Sequence, residues 1–225
     1  MEMRYERNCP ALTPDQCAAL AGKRICVVGC GGLGGYVVEL LARAGVGGIT
    51  VVDPDAFSES NLNRQLFATQ RTLAQSKVQA AFARIAEVNP SITLHAIAQP
   101  FDAQTAQTLL TGQDAAVDAL DNIPARLLLE RCCLTLGIPF VHGAAEGWCG
   151  QVCTVLPGDH TLAHLYAGHP GCAPGTGCLG VAAAATAAVQ SSEVLKLLLG
   201  VPCVLTKQLL QLDLLHNTQN IVRLG

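Results

Sequence analysis

The run Gly29-Cys30-Gly31-Gly32-Leu33-Gly34 fits the pattern G-x-G-x-x-G, and it stands between a short β-branched run and a stretch with helical spacing. Glycines in that setting let the backbone pass close to phosphate oxygens, whose charge is favoured by the free N–H groups at the start of a helix. Asp53 closes a second apolar run about twenty residues later, where an acid can accept hydrogen bonds from ribose hydroxyls. On its own this combination suits a nicotinamide dinucleotide or another nucleotide. It also suits a glycine turn that merely lets strand and helix pack closely.

The elements that must position these residues alternate. Lys23–Gly29 reads as a strand stopped by glycines, and Leu33–Ala44 as a helix. Ile49–Asp53 is a strand ending on an acid, and Gln75–Val88 a helix that stops before Asn89-Pro90. Ile92–Ile97 (strand), Ala103–Leu110 (helix), Ala115–Ala119 (strand) and Pro124–Leu136 (helix, with Gly137 at its C-terminus) continue the pattern. Strand Ile138–His142 is followed by strand Gly150–Leu156 with no room for a helix between them, which marks an antiparallel edge. Pro157–Gly177 reads as a long loop rich in Gly, Pro and His, Val181–Leu199 as a helix, and Gln208–Leu215 with Asn220–Leu224 as a closing hairpin. The expectation is one α/β domain over residues 1–225. It is Rossmann-like, with a mixed, mostly parallel sheet, helices on both faces and an antiparallel C-terminal edge.

Composition narrows the partners. The net charge is −3 and only 14% of residues are charged, so there is no basic excess of the sort that nucleic acid or an anionic membrane would favour. The start, Met1–Pro10, has no long apolar stretch, and the protein is expected to be cytoplasmic. Val181–Leu199 is apolar, but Gln190, Ser191, Ser192, Glu193 and Lys196 interrupt it, which favours a buried helix over a membrane span. Eleven cysteines contain no C-x-x-C pair, so no structural zinc is expected, and Cys26, Cys30, Cys132, Cys133 and Cys153 fall in core elements as reduced thiols.

The segment after Asp53 separates the readings of the glycine loop. Val51–Gln65 reads VVDPDAFSESNLNRQ and, with the glycine loop, resembles the family of ThiF, MoeB and HesA, which includes the adenylating domain of ubiquitin-activating enzymes. The resemblance covers nearly the whole chain: Arg4-Tyr5-Glu6-Arg7-Asn8, GCGGLGG, SNLNRQ, Lys77, Asn89-Pro90, Asp118-Ala-Leu-Asp121-Asn122 and Gly143-Ala144. A dehydrogenase has no reason to place Arg64 and Lys77 after the acidic strand end, whereas a triphosphate needs cations there. The resemblance implies that Gly29, Gly31, Gly32, Gly34 and the run Ser60, Asn61, Leu62, Asn63, Arg64 hold ATP. Asp53 would bind the ribose hydroxyls, and Asn61 and Arg64 would contact phosphates. Lys77 would lie along the α-phosphate, Asp121 would hold Mg²⁺, and Asn122 would line the pocket. Arg7 would reach the γ-phosphate of the neighbouring subunit's ATP in a homodimer. Each has a plainer role open to it: Arg64 and Lys77 as solvated helix charges, Asp121 as a helix cap.

The activity so implied is adenylation of the C-terminal Gly-Gly carboxylate of a ubiquitin-like sulfur-carrier protein, served by a sulfur donor protein, in thiamine, molybdopterin or related sulfur transfer. Other readings are a tRNA threonylcarbamoyladenosine dehydratase-like enzyme, a non-catalytic module of the same fold, and a nicotinamide-dependent dehydrogenase. In the crossover loop 157–177, Cys172 falls near the family's carrier-linking cysteine, with Cys178 the second choice; either could equally be an incidental thiol. Two departures stand out. Ala74 replaces a common family glycine, so the loop entering the Lys77 helix is expected to differ slightly. The zinc hooks of many members are missing. His142 reads as a satisfied buried histidine, and Trp148 and Tyr166 as packing.

Overall fold

The computed structural model describes residues 2–168, 177–202 and 205–224. Its framework is an eight-stranded sheet of order β3-β2-β1-β4-β5-β6-β7-β8. The strands are β1 (Arg24–Val28), β2 (Gly48–Val52), β3 (Thr93–Ile97), β4 (Ala115–Asp118), β5 (Phe140–Glu146), β6 (Cys149–Val155), β7 (Gln208–Asp213) and β8 (Thr218–Arg223). Pairings from β3 through β5 are parallel, and those from β5 to β8 are antiparallel. Among the described residues the helices are α1 (Pro14–Ala21), α2 (Gly34–Ala44), α3 (Lys77–Val88), α4 (Ala106–Leu110), α5 (Ile123–Leu136), α6 (Thr161–Leu165) and α7 (Gly180–Leu198). The mixed α/β architecture expected from the alternation is the one observed.

The sheet is covered on both faces, which explains why β1 is apolar without alternation. Ile25 and Val27 enter a core with Val37 and Leu41 of α2, Val78 and Ile85 of α3, and Ala187 and Val194 of α7. Cys26 and Val28 enter the opposite core with Leu109 and Leu110 of α4, Leu129 and Cys133 of α5, and Leu162 of α6. Each fully buried aliphatic side chain there is worth roughly 1.5–3 kcal/mol. The thiols behave as small hydrophobes. Burial pushes Cys26 up to about 12 and pushes Cys133 and Cys153 up as well. Helix α7 is long and apolar enough to cross a membrane by length and composition, and half of its apolar window is buried in this fold.

Helix ends follow their local chemistry. α2 and α5 stop at Gly45 and Gly137, both left-handed, with φ of 93° and 67°. Helix α1 was not anticipated, because its apolar periodicity is weak. Its signal is the capping box, in which the Thr13 side chain accepts from the Gln16 N–H at 3.2 Å and Gln16 accepts from the Thr13 N–H at 2.9 Å. The expected loop 157–177 contains α6, so it is not all irregular. Ala74 also corrects an expectation. It takes the left-handed conformation itself, φ 64°, and its N–H donates to the Phe57 carbonyl at 2.9 Å, so alanine does not bar a positive φ here.

Candidate nucleotide site

Between β1 and β4 the chain changes side: β1 leads into α2 on one face and β4 into α5 on the other, leaving a crevice at the carboxyl ends of the strands. The glycine loop forms one wall. Gly29 has φ 100°, and a Cβ there would lie 2.4 Å from the Ala119 carbonyl oxygen; a Cβ on Gly34 would lie 1.9 Å from the Gly29 carbonyl oxygen. These two glycines are demanded by the fold. At Gly31 and Gly32 the nearest atoms would be 3.7 and 3.6 Å away, an ordinary contact. Nothing in the packing requires those two to be bare, and their bareness leaves the start of α2 open to a ligand.

Asp53 binds the loop to β2. One carboxylate oxygen accepts from the Cys30 N–H at 2.7 Å, and the other from the Asp55 N–H at 2.9 Å. Lys77 opens α3 and lies 3.7 Å from the Asp53 carboxylate and 2.7 Å from that of Asp55. Its side chain is 8% exposed, so it is not a solvated helix charge. A buried ammonium requires such partners. Asp55 was not singled out from the sequence; the acid two places after the strand-end acid, in Asp53-Pro54-Asp55, is the signal that could have found it. It holds Lys77 at both ends, since its carbonyl also accepts from the Lys77 N–H at 2.9 Å.

The run Ser60–Arg64 is wedged between the glycine loop and the start of α7. Asn61 closes a 3₁₀ turn, its side-chain oxygen accepting from the Ser58 N–H at 3.0 Å, so that oxygen serves the turn. Ser60 and Asn63 each accept from Arg64 Nη1 at 2.9 Å, through the Ser60 carbonyl and the Asn63 side chain, and Leu62 is half-buried. Asn63 Nδ2 donates to the Cys178 carbonyl at 3.1 Å, and a Cβ on Gly180 would stand 2.7 Å from the Asn63 carbonyl. A Cβ on Gly32 would meet the Arg64 side chain at 3.7 Å, which puts this half-buried guanidinium beside the loop.

Across the crevice, Asp121 is exposed two residues beyond Ala119, the residue against which Gly29 packs. The cap of α5 is Asn122, whose side-chain oxygen accepts from the Ala125 N–H at 2.9 Å, so Asp121 is not the cap. Asn122 also donates to the Asp121 carboxylate at 3.3 Å. His142 is fully buried and satisfied, with Nδ1 at 2.7 Å from Asp118 and Nε2 at 3.1 Å from the Tyr166 hydroxyl. Burial lowers its pKa against the opposing pull of Asp118, so the ring is neutral. Tyr166 takes part in this polar cluster rather than only packing.

Arg7 is exposed on the 3₁₀ turn Met3–Asn8, which Asn89 fastens in place. Asn89 accepts from Arg4 at 2.8 Å and donates to the Tyr5 hydroxyl at 2.8 Å and to the Ala42 carbonyl at 2.7 Å. Tyr5 packs on Gly45 at the C-terminal end of α2, roughly 16 Å of helix from the glycine loop. The fold therefore does not bring Arg7 to this chain's own crevice. Cys172 lies outside the described residues. Cys178 is half-buried, and burial raises its thiol while nearby Arg64 pulls the other way. Among the described residues no group of three or more His, Cys, Asp or Glu side chains is placed to hold a metal ion.

The chain is 36% identical over 203 residues to the SAMP-activating enzyme E1 of Haloferax volcanii, an alignment covering 87% of this chain and 75% of that protein. It is 33% identical over 229 residues to the sulfur carrier protein adenylyltransferase of Thermus thermophilus, covering 95% and 83%. Its fold superposes on the crystal structure of E. coli MccB with a TM-score of 0.85 at 18% identity, covering 99% of this chain and 70% of that one. The family model described as the ThiF family matches residues 5–225. With the glycine loop, the Ser60–Arg64 run and the buried lysine in one crevice, the chain belongs to the ThiF family.

Proposed function

We propose that this chain is an ATP-dependent adenylyltransferase that activates the C-terminal Gly-Gly carboxylate of a ubiquitin-like sulfur-carrier protein. The observation that carries this reading is the convergence of bare Gly31 and Gly32 with Arg64 and the buried Lys77. The relatives' names, a SAMP-activating E1 and a sulfur carrier protein adenylyltransferase, support the substrate class.

In this reading ATP lies along the glycine loop, with its ribose at Asp53 and its phosphates toward Asn61, Arg64 and Lys77. Asn122 lines the pocket beside Asp121. The carrier carboxylate attacks the α-phosphate in line and pyrophosphate leaves. A carboxylate is already a nucleophile, so no general base is needed, and this chain's task is to position the reactants and stabilise charge. Lys77 and Arg64 neutralise negative charge as it builds on the phosphate oxygens. Mg²⁺ fits a site with one exposed protein carboxylate, since it usually keeps waters and substrate phosphates as its other ligands. Asp121, exposed and accepting from Asn122 at 3.3 Å, would hold it. When bound, the metal would supply charge neutralisation on the triphosphate.

The proposal extends to a single adenylating domain in the cytoplasm, working as a homodimer. The position of Arg7 at the far end of α2 supports a reach into a neighbour's site rather than its own. Cys172 in the crossover loop is the first candidate for a covalent carrier link, and Cys178 the second. Isotope exchange of pyrophosphate into ATP, measured with purified protein, Mg²⁺ and candidate Gly-Gly-ending carriers, tests the reading. Carrier-dependent exchange is expected, lost in Asp121→Ala; ATP binding without exchange for any carrier overturns it.

A further inference from the structure

The hydrogen bonds around Leu120 close into a ring. The Leu120 N–H donates to one Asp118 carboxylate oxygen at 3.0 Å, and its carbonyl accepts from Arg126 Nε at 3.2 Å and Nη2 at 2.6 Å. Arg126 Nη1 donates to the Tyr166 hydroxyl at 2.7 Å; that hydroxyl lies 3.1 Å from His142 Nε2, and His142 Nδ1 lies 2.7 Å from the other Asp118 oxygen. The proton assignment is forced. A carboxylate only accepts, so Nδ1 carries the hydrogen, and Nε2 must then accept from the tyrosine O–H. The tyrosine oxygen takes its two remaining bonds from Arg126 and from Gln151 Nε2, the latter at 3.0 Å. Its capacity is filled.

Asp118, His142 and Arg126 are all at least nine-tenths buried, where unmade bonds are expensive, so the ring holds one arrangement. The residue it pins, through both its N–H and its carbonyl, is Leu120, immediately before Asp121. Tyr166, on the far side of the ring, ends α6, whose other end is bolted to α5 by Glu130. That carboxylate accepts from the N–H groups of Leu162 and Ala163 at 2.6 and 2.9 Å. From Tyr166 the chain runs on into the segment that carries Cys172.

We infer that Tyr166 and Arg126 are positioning residues for the Asp121 carboxylate, through which α6 sets the affinity of the metal site. This rests on the proposed reading in which Asp121 holds the metal. Neither side chain would be a ligand of the metal; Arg126 acts through the Leu120 carbonyl, and Tyr166 through Arg126. Groups that orient a metal-binding side chain typically change metal affinity about ten- to hundredfold when removed.

The test is an electron paramagnetic resonance titration of Mn²⁺, used in place of Mg²⁺, into full-length protein saturated with a non-hydrolysable ATP analogue. Tyr166→Phe is expected to weaken Mn²⁺ binding about tenfold while leaving analogue affinity without metal unchanged. Arg126→Lys, which keeps the buried charge but loses the fork, should act in the same direction. The double variant Tyr166→Phe/Asp121→Ala should bind Mn²⁺ no more weakly than Asp121→Ala alone, because residues acting through one group are not additive. A general loosening of the fold would instead add its penalty in both backgrounds, and that result overturns the inference. So does wild-type Mn²⁺ affinity in Tyr166→Phe when Asp121→Ala has lost it. Wild-type affinity in Asp121→Ala removes the metal assignment itself, and the inference with it.

Discussion

The two walls of the crevice are built by different means. On the β1–β2 side, position is set by backbone: glycines that admit no Cβ, a carboxylate stitched to two N–H groups, and a lysine pinned by Asp55. On the β4–β5 side it is set by side chains hydrogen-bonded to one another, drawn from β4, α5, β5, β6 and α6. The first wall tolerates no change of shape, and the second tolerates no change of proton inventory. The difference teaches that a short motif can encode the first kind of wall but not the second.

The sharpest way to break this comparison is at Lys77. Lys77→Ala should lower carrier-dependent pyrophosphate exchange by about 10²–10³-fold, the usual scale for removing one preorganised charge-stabilising group. Steady-state rates near wild type would take Lys77 out of the reaction. A smaller effect separates the glycines. Gly34→Ala should destabilise the fold by about 3 kcal/mol or more, because its methyl would collide with a backbone carbonyl that cannot move cheaply. Gly31→Ala should leave the urea midpoint nearly unchanged but raise the Kd for ATP. Equal midpoints for the two variants would refute the division between fold-required and ligand-facing glycines.

The opposite wall should respond to acid. His142 has its folded pKa held below the ordinary 6.5 by burial, so between those two values the unfolded chain binds the extra proton. Stability from this group is complete above pH 6.5 and falls as pH drops toward the folded value, by up to about 1.4 kcal/mol per pH unit. Urea unfolding of wild type and His142→Gln between pH 7.5 and 5 measures it. The wild type should lose more stability than the variant, and parallel curves would show that His142 does not titrate on unfolding.

Much of the first wall was legible because its parts lie close in sequence: Gly29 to Gly34, Asp53, Ser60 to Arg64 and Lys77 fall within one β-α-β-α stretch. The fold was legible for the same reason, since local periodicity marks each parallel unit. The second wall was not. Asp118 and Tyr166 are far apart in the chain, and each looks ordinary alone. They meet because the parallel pairing of β4 and β5 sets Asp118 opposite His142, while α6, unforeseen in the crossover loop, carries Tyr166 across. The plainer role open to Lys77, a solvated helix charge, fails because periodicity says which face a residue takes, not what acid waits beside it.

That acid balances the charge that α3 carries into the fold. An unpaired ammonium as deeply enclosed as Lys77 would cost several kcal/mol. Asp55, itself 63% exposed, acts as a resident counter-ion that reaches in from the solvent side. On the proposed reading, an arriving triphosphate therefore performs an ion exchange at Lys77, trading one anion for another.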